Sequence, residues 1–376
     1  ANDRRLNLFE NLFPIPRGVS YNAYLIKDEK NALMDTVDAS ASEQFIENVA
    51  YALNGGKLDY LVVQHMEPDH AANIANFMKV YPDTTVVSNK KAFAMMQNFF
   101  DLDLEGQQVI VDNGGTLSLG KHNLTFVFAP MVHWPEVMVS YESAEKVLFS
   151  ADGFGKFGAL GLTEDADWAC EARRYYFNIV GKYGNPVQAL LKKAATLDIQ
   201  TICPLHGPVL KENLGYYIGL YDTWSKYEPE NKGVLVAYAS IHGNTAKVAE
   251  KLGEMLREKG VEKVVVSDLS REDMAGVIED AFRYDRMVLC GASYDGGVFP
   301  CMEDFLHHLQ AKAYQKRTIG LVENGSWAPC ANKAMRAIVD TFKDVTVVEP
   351  SVTIRSTLKE SDMEAMEALA SAIAEA

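Results

Sequence analysis

From residue 232 onward the chain keeps one rhythm, and few folds accept it. Strand-like runs at 233–239, 261–269, 286–291, 317–322 and 345–348 are each followed by a helical stretch, at 245–260, 271–281, 302–313, 331–342 and a closing segment. The runs are continuous and rich in β-branched residues, chiefly Val, rather than alternating, as expected of strands buried on both faces. In the first helix, Val248, Leu252, Met255 and Leu256 mark one apolar stripe. Five such β–α units predict a doubly wound parallel five-stranded sheet with helices on both faces. The closing helix is expected to be capped by Ser361-Asp362-Met363-Glu364 as an S-x-x-E box.

Before about residue 225 the texture changes. Short apolar runs at 21–26, 58–63, 85–88, 124–129, 137–141, 146–150 and 201–203 read as strands, interleaved with helices at 41–53 and 167–181. Asn54-Gly55-Gly56 and Asn113-Gly114-Gly115 are turn signals between them. This mixture predicts layers of sheet with helices outside. The polar joint Tyr227-Glu228-Pro229-Glu230-Asn231-Lys232 divides the chain into domains expected at 1–228 and 232–376. A length of 376 residues suits two or three domains of ~150 residues each. No repeat or low-complexity tract interrupts either half.

Composition narrows the partners. Lys+Arg 36 against Asp+Glu 51 leaves a net charge of −15, which argues against non-specific binding to nucleic acid or to an anionic membrane. The five cysteines (Cys170, Cys203, Cys290, Cys301, Cys330) are widely spaced and contain no C-x-x-C pair. A disulfide scaffold and a cysteine-ligated zinc or iron–sulfur site are therefore not expected. No run approaches the ~20 apolar residues of a membrane span, and the N-terminal segment has no apolar core of a leader, so a cytoplasmic protein is expected.

The densest chemistry follows the run at 58–63. His65-Met66-Glu67-Pro68-Asp69-His70 sets four ligand-type residues within six positions, where a strand ends and a helix from Ala71 onward is expected. Strand alternation aims His65 and Glu67 to one side, and the turn at Pro68 lets Asp69 and His70 face a second point, so one loop can serve two ions. A lone His or Glu in a polar turn needs no metal; this density does. His133, Asp152 and His206 each end a further strand-like run beside Gly or Pro, and four of the chain's eight histidines fall in this set.

The second domain opens with its own signal. Ser240-Ile241-His242-Gly243-Asn244-Thr245 joins the first strand to a helix N-terminus, where backbone N–H groups, two hydroxyls and the helix dipole can hold a phosphate. There is no Lys as in a Walker loop. The loops after the third and fourth strands, Ser293-Tyr294-Asp295-Gly296-Gly297 and Glu323-Asn324-Gly325-Ser326-Trp327, pair an aromatic with small residues, which suits a flat ring system at the carboxyl ends of the strands.

The order H-x-E-x-D-H, His, Asp, His resembles the metal-ligand pattern of the metallo-β-lactamase superfamily, with Glu67 where the zinc hydrolases carry His. Joined to a flavodoxin-like domain, it resembles the flavodiiron proteins over essentially the whole chain. The resemblance implies an N-terminal metallo-β-lactamase-like αββα sandwich and a C-terminal flavodoxin-like domain. It implies two non-haem irons, one held by His65, Glu67, His133 and Asp152, the other surrounded by Asp69, His70, Asp152 and His206, with Asp152 bridging. Glu67, Asp69 and Asp152 with one bridging hydroxide carry −4, which two Fe(II) ions neutralise, and the extra carboxylate suits iron.

The first loop of the second domain is similar to the flavodoxin phosphate signature S/T-x-x-G-x-T, and in this family the flavin is FMN. The segment Ala328-Pro329-Cys330 departs from the commoner Gly-Ser-Tyr-Gly-Trp type. The implied activity is reduction of O2 to water, of NO to N2O, or both. The implied donor is a rubredoxin-like or flavin reductase partner, and the implied assembly a head-to-tail homodimer or a dimer of dimers. Two rival readings are a zinc-dependent, thioesterase-like hydrolase and a plain flavin electron carrier. Metal analysis discriminates against the first and replacement of His206 by Ala against the second. His307-His308 is read as helix surface, the run at 216–221 as helical packing and the scattered Met residues as core.

Overall fold

The computed structural model describes residues 1–162 and 168–376. It divides into two compact units, Ala1–Asp222 and Thr223–Ala376. The break lies a few residues before the expected joint because residues 226–228 are tied to the second unit. Arg317 Nη1 donates to Tyr227 O at 2.7 Å and Lys316 Nζ to Lys226 O at 2.9 Å.

The first unit is built on two five-stranded sheets. One runs Tyr24–Ile26, Ala32–Met34, Tyr60–Val62, Thr85–Ser88, Gln108–Ile110, with only the first pair antiparallel. The other runs Thr116–Ser118, Asn123–Phe128, Met138–Glu142, Val147–Phe149, Thr201–Cys203, with only the last pair parallel. Ala32, Met34, Val62 and Val87 of the first sheet share one core with Leu124, Phe126, Met138 and Phe149 of the second. Helices cover the outer faces: Ser42–Leu53 buries Phe45, Val49 and Leu53, and Lys90–Phe99 buries Ala92, Phe93 and Met96 behind an Asn89 cap. This is the expected sandwich of layers.

The register of the second sheet carries Asn123–Phe128, Val147–Phe149 and Thr201–Cys203 in one direction. The loops that follow these three strands therefore open at the same edge. Instead of one helix starting at Ala71, the chain makes a single turn, Pro68–Ala71, and then Ile74–Val80. Proline is accepted at a first helical position because its missing N–H has no partner there anyway. The helix expected at 167–181 is α-helical over Trp168–Tyr175 and widens to a π-turn over Tyr176–Val180; Asp167 lies outside the described residues.

The second unit has the sheet order Val264–Asp268, Asn231–Ala239, Tyr284–Tyr294, Thr318–Asn324 and a fifth position, every pair parallel. Two short strands, Thr346–Val347 and Val352–Ile354, share that fifth position on either side of Pro350, which has no N–H for the ladder. Helices Asn244–Glu258 and Met363–Glu375 pack Val248, Leu252, Leu256, Leu369 and Ile373 onto one face. The S-x-x-E cap expected at Ser361 is not formed. The helix begins after Asp362, whose carboxylate instead accepts from Lys359 N–H at 2.8 Å across a 3-10 turn, Glu360–Asp362. The helix expected from 271 starts at Met274, because Asp273 accepts from Ala275 N–H and supplies the better cap.

Candidate metal centre and ligand cleft

All seven ligand-type residues of the first unit lie in the segments that follow strands Tyr60–Val62, Asn123–Phe128, Val147–Phe149 and Thr201–Cys203, Asp69 and His70 within the turn Pro68–Ala71, and they converge. His65 Nε2 lies 3.2 Å from both Glu67 Oε2 and Asp152 Oδ2, and His133 Nε2 lies 3.1 Å and 3.2 Å from the same two oxygens. On the other side, Asp69 Oδ2 lies 3.2 Å from the Nε2 atoms of His70 and His206, which are themselves 3.1 Å apart. Asp152 Oδ1 is 3.2 Å from His70 Nε2 and 3.7 Å from His206 Nε2. Asp152 thus turns one oxygen to each group, and His70 points inward with the rest.

These contacts suit cations better than they suit hydrogen bonds. Both oxygens of Asp69 and of Asp152 are buried, and among the described residues no donor is aimed at any of them. The imidazole nitrogens stand close, but their geometry does not satisfy the carboxylates. Donors that share an ion at about 2.1 Å sit roughly 3.0–3.4 Å from one another, which is the spacing found here. Hard carboxylates mixed with imidazoles suit iron.

The titration behaviour records the same crowding of charge. Burial would pull His65 down, but Asp152, Glu136 and Glu67 beside it hold it well above its ordinary value. Burial is likewise outweighed at His70, which Asp69 and Asp152 push up to about 10, and at His133, which Asp152 and Glu67 push up to about 9. Burial would raise the carboxylates, yet His133 and His65 bring Glu67 down to about 2, and the histidines keep Asp69 and Asp152 low.

Sequence reasoning did not find the groups that support these ligands. Glu136 is buried and accepts from His65 Nδ1 and Met66 N–H, each at 2.9 Å. Ser20 O accepts from His206 Nδ1 at 2.8 Å. Phe9, Tyr21 and Tyr175 wall the His206 ring with centroids 5.5, 5.9 and 5.4 Å away. Glu136 and Ser20 lie 71 and 186 residues from their partners, and neither carried a motif.

In the second unit a cleft of about 600 Å³ opens at the carboxyl ends of the first, third and fourth strands. It is lined by Ser240, Ile241, His242, Asn244, Thr245, Ser293, Tyr294, Asp295, Gly296, Asn324, Gly325, Ser326 and Trp327 among others. Gly243 and Gly297 shape the loops without lining it. Gly243 adopts φ +84° and donates its N–H to Ser240 Oγ at 3.1 Å, and Gly297 pairs with Tyr294 in a small hairpin. No side chain caps helix Asn244–Glu258, so its first-turn N–H groups keep free valence for an anion in the cleft.

Trp327 is 82% exposed and Tyr294 43%. Two large aromatic faces held open beside an anion site fit a planar ligand with a phosphate tail. The Ser293 hydroxyl, beside the cleft, also accepts from Cys330 N–H and Ala331 N–H and so caps helix Ala331–Val339 from the opposite loop. Cys330 and Ser356 also line the cleft. Ser356 reaches it because Asn324 exchanges two hydrogen bonds with its backbone, a contact no local pattern announces.

Comparison with known proteins agrees with both halves. Residues 19–207 match the ODP family beta lactamase model, and residues 235–354 match a flavodoxin domain. The chain is 32% identical over 365 residues to a nitric oxide reductase of Moorella thermoacetica, covering 94% of this chain and 89% of that one. It is similar to the structure of the rubredoxin oxygen:oxidoreductase of Desulfovibrio gigas, with a TM-score of 0.92, 26% identity and coverage of 100% and 95%. The fold is also that of the flavodiiron protein of Giardia intestinalis, with a TM-score of 0.93 at 24% identity, over 100% of this chain and 93% of that one.

Proposed function

The chain belongs to the flavodiiron proteins, and from that premise we propose that it is an oxidoreductase that reduces O2 to water, NO to N2O, or both, at a diiron centre fed by FMN. The observation that carries this reading is Asp152, whose two buried carboxylate oxygens serve two separate sets of donors. The hydrolase alternative is disfavoured by Glu67, which places a third carboxylate against His65 and His133, and by the flavin cleft on the same chain.

The residues divide the work. His65, Glu67 and His133 would hold one ion and Asp69, His70 and His206 the other, with one oxygen of Asp152 offered to each group. Ser240, Thr245 and the open end of helix Asn244–Glu258 would hold the phosphate of FMN, and Tyr294 and Trp327 would offer their faces to its ring. When bound, two ferrous ions and a reduced flavin supply the four electrons that, with four protons, take O2 to two waters, while two electrons and two protons take two NO to N2O and water. Burial of His65, Asp69, His70, His133, Asp152 and His206 lowers the local dielectric and strengthens the pull of this set on a cation.

A rubredoxin-like or flavin reductase donor is part of the proposal, supported by the name of the D. gigas relative. So is a head-to-tail homodimer or a dimer of dimers, supported by the family resemblance. A cytoplasmic location is supported by five cysteines that stay as thiols. Among the described residues no helix is long and apolar enough to cross a membrane. The deciding experiment is metal and flavin analysis of anaerobically purified protein, followed by O2 and NO consumption with a reduced rubredoxin. About two irons and one FMN per chain with turnover support the reading; zinc that iron cannot replace, with no turnover, moves the hydrolase to the front.

A further inference from the structure

Three of the four histidines of the metal centre differ in what stands behind their second ring nitrogen. His65 Nδ1 meets the Glu136 carboxylate at 2.9 Å, His206 Nδ1 meets the neutral carbonyl of Ser20 at 2.8 Å, and His70 Nδ1 has no partner among the described residues. The Glu136 side chain is fully buried. The same oxygen that holds His65 also accepts from Met66 N–H, and the other oxygen is unpartnered among the described residues. The cost of burying a carboxylate with half its valence unused calls for a local role.

The loop that carries Glu136 is anchored to the strand ends it serves. Asn89 Nδ2 donates to Glu136 O at 2.6 Å, and Met138 N–H donates to Gln64 O at 3.1 Å. Trp134, two residues earlier, sets its ring edge-to-face on His65 with centroids 5.3 Å apart and an interplanar angle of 87°. One loop, 129–137, therefore brings the ligand-type His133 into the site and also fixes the orientation of His65.

We propose that Glu136 is the positioning residue of the metal centre, holding His65 with Nε2 turned inward and making the His65–Glu67–His133–Asp152 group the tighter of the two cation sites. With Nδ1–H donating to an anion, the His65 ring has one tautomer available and a more basic Nε2. His206 receives the same orientation from a carbonyl but none of the negative charge. The two halves of the centre are thus unequal by construction, although their donor atoms are similar. The inference depends on the diiron reading only for the identity of the ion, since the geometry ranks the two groups for any divalent cation.

The test uses the full-length chain, stripped of metal and titrated anaerobically with Co2+ under visible absorption, which reports each imidazole- and carboxylate-bound ion. The wild type is expected to take two Co2+ in two steps. In Glu136→Ala the tighter step weakens about 10–100-fold while the second step and the FMN content stay as in wild type. Glu136→Gln, which keeps a hydrogen-bond acceptor without the charge, recovers part of that loss. Should Glu136→Ala fail to fold by circular dichroism, Glu136→Gln alone decides. Wild-type affinities at both steps, or an equal loss at both, overturn the proposal. A wild type that shows these differences but no O2 or NO turnover with iron leaves Glu136 in place and removes the proposed function instead.

Discussion

Asp152 is the residue on which the two groups of donors depend. Its neighbours on either side approach different oxygens, so Asp152→Asn removes one negative charge and half of the bridge together. Iron content in this variant is expected to fall well below two per chain, with turnover lost at least ~100-fold, as read by metal analysis and gas consumption. The imidazoles make a separate prediction about protons. In the metal-free chain the neighbouring carboxylates push His70 up to about 10 and His133 up to about 9, so metal binding near pH 7 is expected to release protons. Metal affinity is expected to rise with pH up to about 9–10, and calorimetry in buffers of different ionisation heat should count the protons released. The linked stability has the opposite sign: these raised values stabilise the metal-free fold below about pH 6.5, and that contribution is lost as pH climbs through 9–10. The ligand-type residues were legible because imidazoles and carboxylates were packed into strand ends. Glu136 was not, because a single Glu 71 residues from its histidine resembles any other surface carboxylate.

Among the elements, the loop–helix junction at 240–245 was readable from its hydroxyls, its glycine and the helix that follows. Hydrogen bonds to a charged group contribute about 1.5–3 kcal/mol each. The double change Ser240→Ala and Thr245→Val is therefore expected to weaken FMN binding by at least ~100-fold, measured by flavin fluorescence. The fifth strand was half readable, because Pro350 splits it and its second piece, Val352–Ile354, is too short to stand out. The closing helix shows how local signals compete: Ser361 and Glu364 matched a capping box, yet Asp362 took the cap position through Lys359 N–H. Arg317 is the element-scale feature with the largest expected cost. Buried in the second unit, its guanidinium donates to the carbonyls of Tyr284, Tyr227 and Phe282. Replacing it by Met removes three charge-assisted hydrogen bonds, so urea unfolding of the second unit is expected to report a loss of about 3 kcal/mol or more.

At the scale of the whole molecule, charge and domain order matter more than any contact. A net charge of −15 repels a donor of the same sign, and salt screens that repulsion over about 10 Å at 0.1 M. Electron transfer from an acidic donor is therefore expected to accelerate as ionic strength rises from 0.01 to 0.15 M, and stopped-flow bleaching of the donor measures it. Loss of turnover in His206→Ala, with flavin reduction unaffected, is expected of a reductase and not of a simple electron carrier.

The two-part organisation, the parallel sheet, the seven ligand-type residues and the hydroxyl-bearing loop at 240–245 were all present in the order of the chain. They depend on spacing within one strand, turn or helix, and such spacing survives without knowledge of the fold. Tertiary structure alone decided which oxygen of Asp152 faces which histidines, that Ser293 caps a helix from another loop, that Ser356 closes the flavin cleft, and that Glu136 stands behind His65. Each of these joins groups far apart in sequence, and only the packing of sheets and the register of their strands brings such groups within hydrogen-bonding distance.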